Sequence, residues 1–376
     1  MSVTKFASAA LMLIALVALI AACGGQAPTA APTAAPVAAP TQASAAGSLV
    51  MNGAGATFPY PLYSRWFYEY AFVDPSVKFN YQSIGSGGGI AQITAKTVDF
   101  GASDAILNDE QIAKAPGIQM FPSVAGAEVL AYNLVGEDGK PITATLKFPY
   151  TAVADIFLGK ITKWNDPVLQ QANPDVKLPA KDIIVVHRSD GSGTTYIFTD
   201  YLSKVSAEWK DKVGTSTSVK WPTGLGGKGN EGVSGTVSQN DGGLGYVELA
   251  YAIQNKLPYG IPQNKAGEYV DPGKGPEGVQ NAMADFGTAL GEKLAISIVD
   301  PPGKASYPIA GYTYLLNYMD QTDCVKAKKF VEFVKWAQTD GQKFATQLQY
   351  IPLPDSVKQQ VFAKLDKITC NGQALQ

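Results

Sequence analysis

The sequence has few of the side chains on which hydrolases and metalloproteins depend. Of its 376 residues one is histidine, His187, and three are cysteine. A histidine-based catalytic triad therefore has a single candidate base, and a zinc site made of histidine and cysteine has too few ligands. No carboxylates follow the spacing of a calcium-binding loop. We therefore expect no catalytic residue, no metal and no cofactor.

Charged residues are also sparse. They make up 16% of the chain, and 30 lysines and arginines against 32 aspartates and glutamates leave a formal net charge of −2. Nucleic-acid binding depends on a basic surface that neutralises phosphates, so we expect no nucleic-acid partner. A small anion is not excluded, because backbone dipoles can hold one without a net positive charge.

The standard nucleotide-binding loops are missing. The stretch "GSGGGI" (85–90) begins like a dinucleotide fingerprint, but Ile90 stands where the third glycine belongs. In "GLGGKGN" (224–230) Gly229 follows Lys228, where a P-loop needs serine or threonine. These two absences argue against a nucleotide site.

The first residues are typical of an export signal. An uncharged apolar run covers residues 6–22; a membrane-spanning helix needs about 20 residues, so this run better fits a signal peptide. It ends in Ile20-Ala21-Ala22-Cys23, which resembles a lipoprotein cleavage box. We expect a signal peptide at 1–22 and lipidation of Cys23, and hence a protein anchored on the extracytoplasmic face of the cell membrane. A simple secretory signal or an uncleaved anchor are the alternatives.

A proline-rich tract follows the cysteine. Residues 23–47 contain alanine, proline and threonine in quantity, with neither a charge nor an aromatic residue. Such a segment cannot bury enough apolar surface to order itself, and its prolines keep it extended. We interpret it as a tether, with the folded region beginning near Ser48.

Three cysteines are an odd number for an exported protein. Lipidation of Cys23 would leave Cys324 and Cys370 as a pair, and outside the cytoplasm such a pair is usually oxidised. We expect a disulfide between them; two separate thiols are the alternative.

Beyond Ser48, short apolar runs alternate with helical patterns. "VKFNYQSI" (77–84) and "KDIIVVHR" (181–188) have the composition of strands, whereas "GTTYIFTDYLSKV" (193–205) has a helical pattern. Two amphipathic helices follow near the C-terminus, at 325–338 and 355–368. The alternation predicts an α/β fold with mostly parallel sheets.

Three stretches share one arrangement, a strand end followed by a small polar loop and a helix start. They are "GAGATFP" (53–59), "GSGGGI" (85–90) and "DGSGTT" (190–195). A helix N-terminus offers free N–H groups and about half a positive charge, and glycine lets a ligand come close. N-capping alone explains one such loop. Three of them with Arg188 at a strand end indicate convergence on an anion.

The last of these loops also admits a hydrolase interpretation. Ser192 would be the nucleophile, with His187 and Asp190 in support. In an extended strand, however, His187 and Arg188 point to opposite faces, so His187 turns away if Arg188 faces the loop. The loop also lacks the G-x-S-x-G elbow of esterases. We therefore expect His187 to be a structural or partly exposed residue.

The same residues resemble a known family. Over about residues 52–364 the chain is similar to the phosphate-binding proteins of phosphate-specific ABC importers, the PstS family. The motifs that carry the resemblance are "GAGATFPYPLYSRW", "YQSIGSGGGI", "TVDFGASDA", "LGKITKWND", "HRSDGSGTTYIFTDYL", "VKWPTGLGGKGN" and "GLGYVELAYA".

The resemblance implies the architecture. It predicts a two-domain periplasmic-binding-protein fold of type II with a hinged ligand cleft. Domain I would comprise 48–128 and 308–376, and domain II 129–307. The chain would cross between them near 129–133 and 307–313.

The resemblance also implies the ligand contacts. The residues that match the family's phosphate contacts are Thr57, Phe58, Ser86, Asp104, Arg188, Ser192, Gly193 and Thr194. Asp190 matches the acid that orients the arginine. An ionised Asp104 only accepts hydrogen bonds, so it would favour an anion that carries a proton. A helix N-cap or turn residue is the alternative interpretation of Asp104.

The implied function is capture of inorganic phosphate and its delivery to the permease of an ABC importer, by a lipid-anchored monomer that is not an enzyme. A receptor for another oxyanion such as sulfate is the first alternative, against which Asp104 argues. A phosphatase or esterase using Ser192 lacks a base. A surface adhesin has no positive support in the sequence.

Overall fold

The computed structural model describes residues 48–375. The predicted signal peptide, the lipidation site Cys23 and the tether at 23–47 lie outside the described residues. Within the described part, strands and helices alternate along most of the chain, and the predicted α/β class is confirmed.

The strands are numbered β1 to β13 along the chain. Most are short, and two long ones, β4 and β10, form the middle of the main sheet. Their bounds are β1 Leu49–Gly55, β2 Val77–Ser83, β3 Phe100–Ser103, β4 Ile118–Asn133, β5 Leu146–Phe148, β6 Ile184–Arg188, β7 Leu225–Gly227, β8 Gly243–Glu248, β9 Tyr259–Pro262, β10 Ala310–Tyr318, β11 Asp320–Gln321, β12 Thr369–Cys370 and β13 Gln373–Ala374.

The helices are numbered in the same way, and a 3-10 turn lies at Pro272–Lys274. Among the described residues, none of the helices combines the length and the apolar character needed to cross a membrane. Their bounds are α1 Tyr60–Val73, α2 Ser86–Thr94, α3 Asp109–Lys114, α4 Ala152–Phe157, α5 Pro167–Ala172, α6 Gly193–Val205, α7 Ala207–Lys212, α8 Gly229–Gln239, α9 Leu249–Gln254, α10 Glu277–Asp285, α11 Cys324–Ala337, α12 Gln342–Gln347 and α13 Asp355–Leu365.

One ten-stranded sheet runs through the described region. Its main path is β2-β1-β3-β10-β4-β8-β6-β7, and β9 joins β5 to β4. The pairs β1–β2, β1–β3, β5–β9, β6–β7 and β6–β8 are parallel. The contacts of β4 and β10 are antiparallel. Five of the nine strand pairs in this sheet are therefore parallel and four are antiparallel. The sequence patterns did not predict the two long strands that make the antiparallel pairs.

The strands β4 and β10 connect the two ends of this sheet. The N-terminal part of β4 pairs with β10, and its C-terminal part pairs with β8 and β9. The predicted crossing at 129–133 lies in this second part, and the Glu128 N–H donates to the carbonyl of Ile309 in the other predicted crossing. The two segments thus adjoin at one end. The division into two domains stays a prediction.

Aromatic side chains fill the core on both sides of these strands. At one end Phe79 packs on Phe67 and Phe333, with ring centroids 4.9 and 4.4 Å apart. At the other end Phe198 stacks on Tyr246 with centroids 4.1 Å apart. Large buried rings supply most of the apolar area that holds such layers together.

A small second sheet closes the C-terminus. It has the order β11-β12-β13, and β12 contains Cys370. Cys370 is bonded to Cys324, the first residue of α11, so the predicted disulfide is present in the structure. The bond fixes the start of α11 to the end of the chain.

We expect the paired substitution Cys324→Ser and Cys370→Ser to lower the free energy of unfolding. The two residues are 46 positions apart in the chain, and opening a loop of this length costs about 2–4 kcal/mol through the entropy of the unfolded chain. Urea denaturation under oxidising conditions measures the change. A reductant should destabilise the unaltered protein by the same amount and leave the paired variant unaffected. Equal stability of the unaltered protein and the variant under oxidising conditions would contradict the prediction.

Candidate functional site

A buried ion pair stands at the end of β6. Arg188 is the last residue of that strand and is 3% exposed. Its Nε donates to Asp190 Oδ1 at 2.8 Å and its Nη2 to Asp190 Oδ2 at 2.5 Å. Burial is the largest influence on the Asp190 carboxyl and raises its pKa, but the hydrogen bonds and charge of the guanidinium, together with backbone N–H groups, outweigh burial and lower the pKa. The predicted role of Asp190 in orienting Arg188 matches this geometry.

Asp190 also holds two neighbouring loops. Its Oδ1 accepts a hydrogen bond from the Gly229 N–H at 3.1 Å, at the start of α8. Gly85, which precedes α2, has φ of +87°, and a Cβ there would overlap Asp190 Oδ2. Gly85 therefore adopts a left-handed backbone conformation and lies close to the Asp190 carboxylate, and a residue with a side chain would fit neither condition.

The first predicted loop lies between β1 and α1. Thr57 and Phe58 are 2% and 0% exposed. The Thr57 carbonyl accepts from the Tyr251 hydroxyl at 2.6 Å, and the Phe58 carbonyl accepts from the Tyr350 hydroxyl at 2.6 Å. Helix α1 has no side-chain cap, so Thr57 is not its N-cap. The two tyrosines instead fix the backbone of the loop.

Asp104 follows β3 and meets the second and third loops. Its N–H donates to Ser86 Oγ at 3.1 Å, and that hydroxyl lies 3.5 Å from Asp104 Oδ2. A Cβ on Gly193 would overlap both Ser86 Oγ and Asp104 Oδ2. Asn108 caps the next helix, α3. Asp104 therefore does not serve as the cap of that helix.

The third loop begins α6. Ser192 caps this helix by accepting from the Thr195 N–H at 3.0 Å. Within the described residues the N–H groups of Phe58, Gly193 and Thr194 make no hydrogen bond. Free N–H groups at a helix start carry partial positive charge. They are the donors that an anion requires.

One carboxylate oxygen of Asp104 has no hydrogen-bond partner in the part of the chain that the structure describes. Asp104 is 2% exposed, and within the described residues its Oδ1 makes no hydrogen bond. Burial raises the pKa of its carboxyl to about 7, although the neighbouring Thr313 hydroxyl and the charge of Arg188 act in the opposite direction. Near neutral pH this group can therefore change between acceptor and donor.

The structure brings the three predicted loops together through a few direct contacts. Arg188 Nη1 donates to Thr194 Oγ1 at 3.2 Å. Asn230 links Thr194 to Thr57, and Gly193 adjoins Asp104 and Ser86. The three loops, drawn from β1, α2 and α6, therefore converge at one place. Their roles as ligand contacts stay a prediction.

His187 lies apart from this network. Its ring stacks on Trp221 with centroids 4.8 Å apart, and its Nδ1 donates to the Arg188 carbonyl at 3.0 Å. Burial lowers the pKa of the imidazole. Among the described residues no hydrogen bond joins His187 to Ser192 or Asp190. His187 is therefore not placed as a base for Ser192, and its structural role stays a prediction.

Two further buried carboxyl groups lie close to the site. Glu128 and Glu248 are opposite each other in β4 and β8, and both are fully buried. Burial raises the pKa of each carboxyl well above its usual range, and the charge of Asp104 acts in the same direction. Both carboxyl groups therefore resist ionisation more strongly than an exposed glutamate does.

Comparison with known proteins identifies the family. Residues 36–338 match a family model described as a PBP superfamily domain. The phosphate-binding protein PstS of Xylella fastidiosa (strain 9a5c) is 48% identical over 317 residues, which cover 84% of this chain and 85% of the relative. PstS of Pasteurella multocida is 46% identical over 315 residues, covering 84% of this chain and 89% of the relative. The chain belongs to the PstS family of phosphate-binding proteins.

A solved structure agrees on the fold. A high affinity periplasmic phosphate-binding protein (PfluDING), bound with phosphate at pH 8.5, matches this PstS family member with a TM-score of 0.67 at 20% identity. The match covers 84% of this chain and 93% of that one. The predicted periplasmic-binding-protein fold is confirmed.

Sequence reasoning missed several residues of the site. Asn230 contacts two predicted residues, and Tyr251 and Tyr350 hold the first loop. A signal for Asn230 was present, because "GGKGNEG" is a fourth case of a strand end, a glycine loop and a helix start. The two tyrosines gave no local signal, because they contact the site from 194 and 292 residues away.

Metal ligands are not grouped in the described region. Among residues 48–375 no three histidine, cysteine, aspartate or glutamate side chains lie together in a way that could hold a metal ion.

The raised pKa of Asp104 should make the ligand-free protein less stable as pH rises. The folded protein binds this proton more tightly than the unfolded chain, so the contribution is present at low pH and is lost between about pH 4 and 7. Between pH 5 and 8 we expect the unaltered protein to lose roughly 2–3 kcal/mol relative to Asp104→Asn. Urea denaturation at the two pH values measures this.

The exposed Asp175→Asn is a matched control for the change in charge. It should follow the unaltered protein at both pH values. An equal pH dependence in the unaltered protein and in Asp104→Asn would show that Asp104 titrates normally.

Proposed function

We propose that this PstS family member captures inorganic phosphate at the network around Arg188. The observation that carries the proposal is that one Asp104 oxygen and the N–H groups of Phe58, Gly193 and Thr194 make no hydrogen bond within the described residues, on loops that converge at Gly193 and Asp104. The relatives named phosphate-binding protein PstS support the same ligand.

The donors suit a tetrahedral oxyanion. Arg188 presents a planar fork that binds two oxygens at once, which lysine cannot do. The hydroxyls of Ser86, Ser192, Thr57 and Thr194 and the three N–H groups would supply the remaining hydrogen bonds. All of these groups are buried, so their dipoles act at a low local dielectric.

Asp104 would select the ligand by its proton. Phosphate near neutral pH carries at least one proton and can donate to an ionised carboxylate, whereas sulfate cannot. An unprotonated sulfate oxygen facing Asp104 Oδ1 would lose that hydrogen bond and add repulsion between like charges. We therefore propose phosphate rather than sulfate as the ligand.

Delivery to an ABC importer follows from the family. We propose that the two segments predicted as a hinge, 129–133 and 307–313, let a cleft close on phosphate, and that the closed form is the one that the permease recognises. The lipidation of Cys23, the monomeric state and the extracytoplasmic position belong to this proposal. So does the absence of enzymatic activity, since His187 stacks on Trp221 instead of contacting Ser192.

Calorimetry on ligand-stripped protein at pH 8.5 should show tight phosphate binding, competition by arsenate and little response to sulfate. Arg188→Lys should weaken phosphate binding by at least roughly a hundredfold, because it removes both the fork and part of its pairing with Asp190. The exposed Arg65→Lys, on α1, is the matched control and should bind normally. Tight sulfate binding, or no response to any of the three anions, would refute the proposal.

Sulfate binding should strengthen as pH falls. Protonated Asp104 can donate to an unprotonated oxygen, and with a pKa of about 7 the protonated fraction rises roughly thirtyfold between pH 8.5 and pH 5.5. Calorimetric titration of sulfate at both pH values should show a gain of this order. In Asp104→Asn the sulfate affinity should not change with pH; a gain of the same size in that variant would assign the effect to another group.

A further inference from the structure

Asn230 lies at the centre of the site although it was not among the predicted contacts. It is the second residue of α8 and is fully buried. Its side-chain Nδ2 donates to Thr57 Oγ1 at 2.8 Å and to Thr194 Oγ1 at 3.1 Å. One amide thus joins the loop after β1 to the first turn of α6.

The orientation of this amide is determined by a third contact. The Glu248 N–H, at the end of β8, donates to Asn230 Oδ1 at 3.0 Å. A backbone N–H can only donate, so the atom facing it must be the amide oxygen. The NH₂ group of Asn230 is therefore the group that faces the two threonines.

Each threonine hydroxyl has both of its acceptor positions occupied. Thr57 Oγ1 accepts from Nδ2 and, at 3.2 Å, from the backbone N–H of Asn230. Thr194 Oγ1 accepts from Nδ2 and, at 3.2 Å, from Arg188 Nη1. A hydroxyl has two acceptor lone pairs and one proton. Only the proton of each hydroxyl remains for a further hydrogen bond.

Within the described residues neither hydroxyl donates that proton to a protein acceptor. Both protons are therefore available to a bound anion. Neither hydroxyl can accept a proton from the anion, because both of its acceptor positions are already occupied. Among the predicted ligand residues, Asp104 Oδ1 is a carboxylate acceptor without a protein hydrogen bond in the described region.

We infer that Asn230 is a positioning residue that holds Thr57 and Thr194 as obligatory donors. This inference rests on the proposed phosphate function and deepens it. With both hydroxyls fixed as donors, the oxygens of the anion that face them must be unprotonated. The single proton of the anion is then directed to Asp104, and the anion binds in one orientation.

The test is a double-mutant cycle on phosphate affinity, measured by calorimetry on the full chain purified in detergent. The cycle combines Asn230→Ala with the pair Thr57→Val and Thr194→Val, which removes both hydroxyls and keeps their shape. We expect Asn230→Ala alone to weaken phosphate binding by roughly tenfold or more. In the valine background the same change should alter the affinity by less than about threefold.

A second variant keeps the size of the side chain. Asn230→Asp still accepts from the Glu248 N–H, but its second oxygen accepts the hydroxyl protons instead of donating to the oxygens. It should weaken phosphate binding more in the unaltered background than in the valine background. The added charge is present in both backgrounds, so its effect cancels when the two losses of affinity are compared. It also serves if Asn230→Ala does not fold, as judged by circular dichroism.

The matched control is Asn240→Ala at the other end of α8. Asn240 donates to the Thr236 carbonyl at 2.7 Å and contacts none of the predicted ligand residues. Its phosphate affinity should equal that of the unaltered protein.

The outcomes separate the two proposals. Loss of affinity by the same factor in both backgrounds would make Asn230 a purely structural residue and overturn the inference while leaving the proposed function intact. Failure of the unaltered chain to bind phosphate would overturn the proposed function, and this inference with it.

Discussion

The site depends on keeping a guanidinium charged where water does not reach it. Arg188 is nearly inaccessible, and an isolated ion at such a position is strongly disfavoured. Asp190 supplies the opposing charge two residues later in the chain, with both oxygens paired to the guanidinium. The same carboxylate accepts from the start of α8 and closely approaches Gly85. The charge balance of one arginine thus determines where the surrounding loops can lie.

The arrangement of donors and acceptors explains why so many elements meet at one point. An anion buried from water must replace its hydration shell with protein hydrogen bonds. The groups that can do this come from the starts of α2, α6 and α8 and from the loop before α1, and the sheet brings them together. A carboxylate in this setting would be unfavourable beside a fully ionised ligand. We therefore propose that Asp104 distinguishes among anions by whether they carry a proton.

Local patterns were sufficient for the parts of this site that lie next to one another in sequence. The loops at Thr57, Ser86 and Ser192 each combine a strand end, small residues and a helix start, and the structure has all of them. Residue patterns could not reveal β4 and β10, because their pairing joins residues almost 200 positions apart. Nor could they show that Glu128 and Glu248 face each other, since a glutamate in an apolar run has no periodicity of its own.

A chain with almost no net charge can hold a doubly charged anion because the binding groups are dipoles and one cation. With 30 basic and 32 acidic residues, the protein as a whole neither repels nor attracts an anion strongly at long range. Inside the site, however, Asp190 pairs with Arg188, and burial raises the pKa of the Glu128 and Glu248 carboxyls, which disfavours their charged forms. The local charge is therefore small before a ligand arrives. Affinity must come from the number and direction of hydrogen bonds, and direction is the property that Asn230 imposes on Thr57 and Thr194.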